Sequence, residues 1–397
     1  MRKLIRGVLS VWLLAVLNIG AAEWIVEDGR PNAAIVVAED APRLVALAAE
    51  DLRDYVMKIS GAKLPIVAEP NNAGPVNIFV GRSAYTDMLG VTAADLQHGA
   101  YLIKSGPKHL VLLGHDTAFT PPVPEIYARG TSDRERAQAA WTEMTRDRTD
   151  GVWGNPYGSM HRNYNAATDT WFYDQSGSMN AVYGFLRDLG VRWYLPGDVG
   201  EVVPKMSSLA LPEIDRVVLP DFPVRRFFGP SYFVLSRDDL LWMRRLGLNQ
   251  GYPVLGLGPQ VHGMRNMMGR PEMFEAHPEY YALIAGRRWY DGDRGQACFS
   301  SAALKDEAVN YARAMFDLLD EPTVDLWPED GLRMCECDQC AGLSPAEAVF
   351  GFVDRVAREV YKTHPDRMIT CGAYSSYRLP PTNVVAFPPN VGITVAY

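Results

Sequence analysis

The stretch Thr323–Cys340 reads TVDLWPEDGLRMCECDQC and bears on both the fold and the chemistry of this chain. Its apolar run, Val324–Trp327, is followed by two neighbouring acids, Glu329 and Asp330. Acids that follow a buried strand lie at its carboxyl end, which is the edge of a parallel sheet where active sites form. We therefore predict a parallel α/β fold with a candidate acid pair at this edge.

The sequence on both sides of this stretch alternates between predicted helices and strands. Leu304–Leu319 and Ala346–Tyr361 have the apolar spacing of amphipathic helices, as does the shorter Arg237–Leu246. Strands are predicted at Val224–Phe228, Tyr252–Leu257, Gln296–Ser300, Met368–Tyr374, Val384–Ala386 and Gly392–Val395. This alternation is typical of parallel βαβ units and favours a (β/α)8-type TIM barrel over residues 221–397. A complete barrel has about 250 residues, so either the barrel is truncated at its C-terminal end, which we favour, or the sheet is open.

Residues 23–220 are predicted to form a separate, small N-terminal α/β domain. It begins with a strand at Ala33–Ala38 and an amphipathic helix at Ala41–Ser60. The pattern is interrupted at residues 117–170, which are rich in proline and charge, and it resumes with a helix at Ala181–Leu189. We interpret residues 117–170 as an insertion into this domain.

Residues 1–22 have the pattern of a signal peptide. Arg2, Lys3 and Arg6 form a basic start, and Val8–Ile19 is an apolar run too short to span a membrane comfortably. Small residues ending at Ala22 predict the cleavage site, with an uncleaved anchor as the alternative. We expect export to a periplasm or to the outside of the cell, without membrane insertion after cleavage.

The net charge is −8, and no basic patch stands out, which argues against a nucleic-acid partner. The sequence has no G-x-G-x-x-G after a strand, no phosphate-binding loop, no H-E-x-x-H and no G-x-S-x-G. We therefore predict no cofactor.

Several blocks of the sequence resemble families of glycoside hydrolases. The blocks at 48–67, 77–83 and 181–204 resemble the small α/β domain that precedes the barrel in α-glucuronidases and β-hexosaminidases. HGM at 262–264, HPEYYALIAGRRW at 277–289, QACFS at 296–300 and PEDGLRMCECDQC at 328–340 are similar to the bacterial domain of unknown function 4838. That family overlaps glycoside hydrolase family 163, whose members look like endo-β-N-acetylglucosaminidases acting on N-glycans. The resemblance covers most of residues 33–115 and 175–395.

The resemblance implies an exported glycoside hydrolase that cleaves O-glycosyl bonds in β-linked N-acetylglucosamine-containing glycans. We expect Glu329 to act as acid/base and Asp330 to orient the substrate's acetamido group, whose carbonyl is the nucleophile of a substrate-assisted retaining mechanism. The order of the acids is reversed relative to hexosaminidases, and many relatives carry one acid in this segment. The alternatives are solvated loop acids and, for the whole protein, a non-catalytic carbohydrate-binding role on the same scaffold.

Four further residues are predicted to bind the glycan. By resemblance to the first-strand arginine of hexosaminidases, Arg226 is expected to clamp a sugar hydroxyl. His262 in a glycine-rich loop and Tyr374 at a strand end are expected to hydrogen-bond the sugar, and Trp289 to stack on it. A packed structural histidine and buried core aromatic residues are the alternatives.

The cysteines Cys335, Cys337 and Cys340 follow directly after the acid pair. Their C-x-C-x2-C spacing allows a zinc site with Cys298 or Cys371 as the fourth ligand. In an exported protein, however, we favour disulfides or structural thiols, with a thiol nucleophile as the remaining alternative. In each case we expect the cysteines to brace the loop that carries the acids.

Overall fold

The computed structural model of the chain describes residues 23–71, 76–128, 130–158, 163–166, 168–226, 237–249, 254–258 and 261–396. The predicted signal peptide lies outside these residues. The described helices are α1 (Arg43–Ser60), α2 (Ala84–Met88), α3 (Arg134–Thr145), α4 (Gly177–Asp188), α5 (Arg237–Arg245), α6 (Met264–Met268), α7 (Pro271–Ala276), α8 (Ala302–Leu319) and α9 (Pro345–Tyr361). In this part of the chain, no helix is both long and apolar enough to cross a membrane.

The described strands are short, and most of them belong to two separate sheets or to small hairpins. They are β1 (Trp24–Glu27), β2 (Arg30–Pro31), β3 (Ala33–Val36), β4 (Ile66–Val67), β5 (Val76–Val80), β6 (Tyr101–Gly106), β7 (His109–Gly114), β8 (Asp116–Thr117), β9 (Tyr164–Asn165), β10 (Thr170–Trp171), β11 (Gln175–Ser176), β12 (Arg192–Trp193), β13 (Glu201–Val202), β14 (Leu209–Ala210), β15 (Asp215–Val218), β16 (Leu283–Ile284), β17 (Arg287–Arg288), β18 (Thr323–Asp325), β19 (Met368–Ala373) and β20 (Val391–Val395). The predicted mixed α/β character is confirmed.

The N-terminal sheet has the strand order β15-β6-β7-β5-β3-β4 within the described residues. Strands β4, β3, β5 and β7 are parallel, whereas β6 and β15 join the edge antiparallel. Helices α1 and α4 cover one face, because their apolar residues recur at helical spacing and share one core cluster with the sheet. Helix α1 ends at Gly61, which adopts a left-handed φ of 80° and donates its N–H to Met57 O.

The C-terminal sheet consists, among the described residues, of the parallel strands β18, β19 and β20. Helix α8 precedes β18, and helix α9 connects β18 to β19. Helix α9 starts where the sequence provides a capping box, in which Ser344 and Glu347 each accept a hydrogen bond from the other's backbone N–H. The predicted helices at 304–319 and 346–361 and the strands at 368–374 and 392–395 are confirmed, with ends shifted by one or two residues.

Other predicted strands are wrong where the structure describes them. Residues Gln296–Ser300 make one isolated bridge, Ala297 to Tyr281, because the chain turns there toward helix α8. Val384–Ala386 forms no strand, and prolines on both sides restrict the pairing of this segment. Residues 224–226 and 254–257 are not strands either, and the rest of those two predictions lies outside the described residues. The closure of this region into a truncated (β/α)8-type barrel therefore stays a prediction.

Part of the predicted insertion packs against the C-terminal region. Trp141, Trp153 and Tyr157 are fully buried in the same hydrophobic cluster as residues of α8 and α9. The Tyr157 hydroxyl donates to Glu321 Oε1 over 2.7 Å, and Trp153 Nε1 donates to Glu307 over 2.8 Å. Residues 119–171 thus supply aromatic side chains to the core on which α8 rests.

Candidate active site at the end of the C-terminal sheet

Glu329 follows strand β18 and lies almost entirely below the surface, with a side chain that is 6% exposed. Its Oε1 atom is buried and has no hydrogen-bond partner among the residues that the structure describes, although Arg265 Nε lies 3.5 Å away. Burial raises the pKa of the Glu329 carboxyl, and the nearby charges of Arg265 and His262 oppose this rise. A carboxyl with a raised pKa keeps its proton closer to neutral pH, which is what a general acid needs.

Asp330 differs from its neighbour because its side chain is 59% exposed. Its Oδ2 lies 3.5 Å from His262 Nε2, while His262 Nδ1 lies 2.6 Å from the carbonyl oxygen of Pro328. A carbonyl oxygen only accepts, so Nδ1 carries the proton, and Nε2 faces the carboxylate favourably when the ring is doubly protonated. His262 therefore connects electrostatically to both acids of the pair.

Asp325, the last residue of β18, holds the turn that carries His262. Its Oδ2 accepts from the N–H groups of Gly263 (2.8 Å) and Trp327 (3.2 Å), and its Oδ1 accepts from Thr370 Oγ1 (3.1 Å). Burial raises the pKa of this carboxyl to about 6. The turn approaches β18 so closely that a Cβ atom on Gly263 would lie 2.2 Å from Asp325 O. Asp325 was not predicted as a site residue, although an acid inside an apolar strand was a usable signal.

Aromatic rings extend the site across the ends of β18 and β19. Trp327 is buried, and its Nε1 donates to the Tyr377 hydroxyl over 2.8 Å. The rings of His262 and Tyr374 each lie 6.0 Å from the Trp327 ring. Tyr374 is 38% exposed, so a hydrogen-bonding side chain is presented to solvent against the Trp327 ring. The structure thus places His262 near both acids and places His262 and Tyr374 on the same tryptophan, Trp327.

The backbone after the acids is held by Gln296. Its Nε2 donates to Asp330 O over 3.3 Å, and its Oε1 accepts from the Arg333 N–H over 3.2 Å. Gln296 is buried, so both bonds are protected from water. Neither Gln296 nor Arg265 was singled out from the sequence, because nothing in their local pattern marks them as neighbours of residues 329–330.

Two of the predicted sugar-binding residues lie in other surroundings. Arg226 interacts with Tyr173, whose ring packs on Phe119, and burial lowers the pKa of the Arg226 guanidinium. Trp289 packs against the cysteine cluster, with the Arg333 guanidinium 5.7 Å above its ring. In the structure, Arg265 is the arginine beside Glu329.

The cysteine segment is adjacent to the acid loop. Within the described residues, Cys298, Cys335, Cys337 and Cys340 bring their Sγ atoms within 4.8 Å of one another. All are free thiols, as is Cys371, which is buried elsewhere on β19. Burial favours a higher pKa for the Cys337 thiol, but hydrogen bonds with Cys335, Cys340 and Cys298 lower it to about 7. Of the two fourth ligands considered from the sequence, the structure brings Cys298 to the cluster.

A second candidate region lies at the carboxyl ends of the parallel strands in the N-terminal sheet. A cleft of about 930 Å³ there is lined by polar residues that include Arg82, His115 and Asp116. Asp116 is partly buried, and loss of solvent around its carboxyl raises its pKa to about 7, although it accepts hydrogen bonds from the Ser178 N–H and hydroxyl. The cleft is not lined by Glu329 or its neighbours.

Residues 195–397 match the family described as domain of unknown function DUF4838. No curated protein matches the chain. Among solved structures, the chain is similar to the GH115 4-O-methyl-α-glucuronidase BtGH115A, which has specificity for decorated arabinogalactans, at 13% identity and a TM-score of 0.47. This match covers 93% of the chain but 45% of the enzyme, so the chain spans less than half of that protein.

Two β-hexosaminidases are also similar in structure. The GH20 β-N-acetylhexosaminidase of Streptomyces coelicolor A3(2) is 12% identical with a TM-score of 0.38, and the match covers 95% of this chain and 67% of that enzyme. The β-hexosaminidase of Streptomyces plicatus is 13% identical with a TM-score of 0.32, and the match covers 91% of this chain and 64% of that enzyme.

Proposed function

This chain belongs to the DUF4838 family, and from that premise we propose that it is an exported glycoside hydrolase acting on β-linked N-acetylglucosamine-containing glycans. The proposal includes a (β/α)8-type scaffold, of which β18–β20 with α8 and α9 are a part. The observation that carries it is the buried Glu329 carboxyl after a parallel strand. Burial raises the pKa of this carboxyl, and within the described part of the chain its Oε1 has no hydrogen-bond partner.

Glu329 has the properties of an acid that protonates the oxygen of the departing sugar. Cleavage of a glycosidic bond needs a proton on the leaving oxygen, and a carboxyl supplies it best when its pKa is raised toward the working pH. A buried oxygen without a partner is costly in the free protein, and a substrate oxygen placed beside it would remove that cost. Arg265, 3.5 Å from Oε1, would stabilise the carboxylate that remains after proton transfer.

Asp330 and His262 are proposed to act on the other side of the reacting sugar ring. In a substrate-assisted retaining reaction the carbonyl of the 2-acetamido group attacks the anomeric carbon, so positive charge develops on the amide. An exposed carboxylate such as Asp330 can orient that amide and stabilise this charge. His262 limits the freedom of the Asp330 side chain through the 3.5 Å contact with Oδ2.

Tyr374 and the buried Trp327 are proposed to position the sugar. Trp327 is fixed by its hydrogen bond to Tyr377, and Tyr374 rests edge-on against the Trp327 ring while part of it faces solvent. A rigid aromatic support with an exposed tyrosine suits a sugar, which has both apolar faces and hydroxyls. The stacking role predicted for Trp289, which packs against the cysteine cluster, stays a prediction beside this one.

The test is hydrolysis of an N-glycan with a chitobiose core, monitored by mass spectrometry and by NMR of the first-formed anomer. We expect a retained anomer, and we expect Glu329→Gln and Asp330→Asn each to lower kcat by about 100-fold or more. Asp338→Asn is the matched control, because Asp338 is an exposed acid of the same loop, and it should leave kcat unchanged. Turnover that persists undiminished in Glu329→Gln would refute the assignment.

The other candidate, a non-catalytic glycan-binding protein, gives a different result in the same assay. Wild-type protein would then bind the glycan by calorimetry without releasing any product. Export is tested separately by fractionation of the cells and N-terminal sequencing. We expect mature protein in the exported fraction to begin at Glu23, after cleavage following Ala22.

A further inference from the structure

Four cysteines from two distant segments converge beside the acid loop. Cys298 comes from the segment before α8, and Cys335, Cys337 and Cys340 come from the loop after β18. The Cys298 Sγ atom lies 3.8 Å from that of Cys337 and 3.9 Å from that of Cys340. For a tetrahedral zinc–thiolate site with Zn–S bonds of about 2.3 Å, the sulfur atoms are about 3.8 Å apart. Two of the six sulfur–sulfur distances therefore match a four-sulfur zinc shell, and all four sulfurs lie within 4.8 Å of one another.

We propose that Cys298, Cys335, Cys337 and Cys340 bind one Zn²⁺ ion as a structural site. The four ligands are all sulfur, which selects zinc or iron among common metals, and a complete set of four leaves no position open for substrate. Three of the four residues are buried, and Cys337 is partly buried, as in closed structural sites. The proposal is independent of the proposed glycosidase activity, since no step of that reaction passes through the metal.

The surroundings of the cluster suit thiolates. The Leu283 N–H donates to Cys335 Sγ over 3.2 Å, and Ser300 Oγ lies 3.1 Å from Cys340 Sγ, where its hydroxyl can donate to a thiolate. Apolar side chains such as Ala282, Ile284 and Trp289 pack around the sulfurs and exclude water. Hydrogen bonds to the sulfurs and a dry shell are the outer-sphere features that orient metal ligands.

A pair of disulfides is the competing arrangement for an exported protein. A disulfide joins one sulfur to one partner at about 2.05 Å. Here Cys298 is at nearly equal distances from two sulfurs, so it is shared between them rather than directed at one. Equal sharing is what a central ion produces. Zinc binding and disulfide formation also differ in mass and in thiol count, so they can be distinguished directly.

The proposed ion would stabilise the loop that carries the acid pair. The cluster joins this loop to residues 281–300, and the same two segments are linked by the Glu336 N–H, which donates to Leu283 O over 2.8 Å. Gln296, two residues before Cys298, donates to Asp330 O. The zinc site would thus hold the Cys335–Cys340 end of this loop against residues 281–300, and Gln296 holds Asp330 against the same segment.

The first experiment measures zinc in the full-length wild-type protein, purified without added metal, by elemental analysis and native mass spectrometry. We expect one zinc per chain, retained in Cys371→Ser and lost in Cys337→Ser. Cys371 is the matched control, since it is a buried cysteine outside the cluster. Protein that contains no zinc, and whose mass is lower by four hydrogens because of two disulfides, would overturn the proposal. Zinc-free protein with four reactive thiols, or with iron at the same stoichiometry, would overturn it as well.

A second experiment avoids variants, because loss of a ligand can also unfold the chain. Zinc is removed from the wild-type protein with a strong chelator, and thermal unfolding is followed before and after Zn²⁺ is restored. We expect a lower Tm without zinc and recovery with Zn²⁺ but not with Mg²⁺, since a metal that binds the folded state stabilises it. Substitution by Co²⁺ should give the absorption of a tetrahedral thiolate complex. An unchanged Tm after complete metal removal would contradict a structural role.

Discussion

The carboxyl ends of the two parallel sheets contain the same local element in different surroundings. Each has an aspartate with a raised pKa, the partly buried Asp116 after β7 and the buried Asp325 at the end of β18. Asp116 accepts from one backbone N–H and a hydroxyl, and Asp325 accepts from two backbone N–H groups and a hydroxyl. Asp116 holds the first turn of α4 through Ser178. Asp325 instead holds the turn that carries His262, and His262 lies near Glu329 and Asp330. The two strand ends therefore differ in the groups that surround the acid: Arg82 and His115 line the cleft at Asp116, whereas His262 and the pair Glu329 and Asp330 lie near Asp325.

A second element occurs in both regions, a tryptophan whose indole N–H donates to a tyrosine hydroxyl. Trp193 Nε1 donates to Tyr55 over 2.7 Å in the N-terminal region, and Trp327 Nε1 donates to Tyr377 over 2.8 Å in the C-terminal region. The first pair continues to Glu201 within a core between α1 and the β12–β13 hairpin. The second supports the solvent-facing Tyr374. Changes matched between the two regions can therefore separate stability from activity.

The largest expected effect is on the pH dependence of stability. Burial raises the pKa of Asp116 to about 7 and that of Asp325 to about 6. The folded state then binds more protons than the unfolded state from about pH 4 up to those values, so each group lowers stability as the pH rises through its window. At about 1.4 kcal/mol per pKa unit, this amounts to about 4 kcal/mol for Asp116 and about 3 kcal/mol for Asp325.

The measurement is urea unfolding between pH 4 and pH 8. We expect the unfolding free energy of Asp116→Asn, minus that of wild type, to increase from pH 4 to pH 7 and then to stay constant. For Asp325→Asn the same difference should increase from pH 4 to pH 6. An amide can keep an acceptor for the backbone N–H groups, so both variants should fold. Parallel pH profiles for wild type and both variants would show that neither carboxyl titrates in this range.

Two glycines test how closely each strand end is packed. A Cβ atom on Gly114 would lie 2.3 Å from backbone atoms of Gly177, whereas one on Gly372 would lie 2.1 Å from the Trp327 ring. Because backbone yields less than a side chain, we expect Gly114→Ala to cost about 3 kcal/mol and Gly372→Ala about 2 kcal/mol in unfolding free energy. Gly372→Ala alone should also lower kcat, since it displaces Trp327.

The control for these variants is Gly392→Ala. Gly392 lies on β20 of the same sheet as Gly372, and its added Cβ atom would meet Thr370 at an ordinary 3.4 Å. Its unfolding free energy should change by less than about 1 kcal/mol. Equal losses in all three variants would mean that close packing does not distinguish the two strand ends.

Asp325 is proposed as a positioning residue for the activity, and Asp116 is not. Asp325→Ala removes the acceptor for the N–H groups of Gly263 and Trp327, so the turn that carries His262 is released. Displacement of a site by about 1 Å can lower a rate about 100-fold. We expect such a loss of kcat in Asp325→Ala, with substantial recovery in Asp325→Asn. Asp116→Ala should retain kcat at a temperature where it is folded, and a comparable loss there would remove the distinction between the regions.

Helices α8 and α9 and strands β19 and β20 could be predicted from the sequence because their signals are local. The apolar spacing of α8 and α9 and the capping residues of α9 lie within the segments themselves. The acid pair was also found locally, as two carboxyls after an apolar strand. The strand predicted at Gln296–Ser300 failed because a short apolar run has no unique period, and tertiary contacts assign this one to a turn.

The partners of the acids could not be predicted in the same way. Arg265 approaches Glu329 from a helix more than sixty positions upstream, and Gln296 approaches Asp330 from another segment, so the sequence spacing contains no record of either contact. Trp289 was assigned to the sugar from residue type alone, whereas the fold places it on the cysteine cluster. Residue type predicts possible chemistry, but the chain's long-range packing determines which groups meet.

The smallest expected effect concerns the two tyrosine hydroxyls. Tyr377→Phe leaves the buried Trp327 N–H without its acceptor, which should cost about 1 to 2 kcal/mol in unfolding free energy by chemical denaturation. Tyr55→Phe removes the bond from Trp193 and the bond to Glu201, so its cost should be somewhat larger. For activity we expect the opposite order, with the larger effect in Tyr377→Phe. A less restrained Trp327 displaces Tyr374 and so raises KM, whereas Trp193 lies in the N-terminal region. A KM that rises equally in both variants would show that Trp327 does not position the sugar through this hydrogen bond.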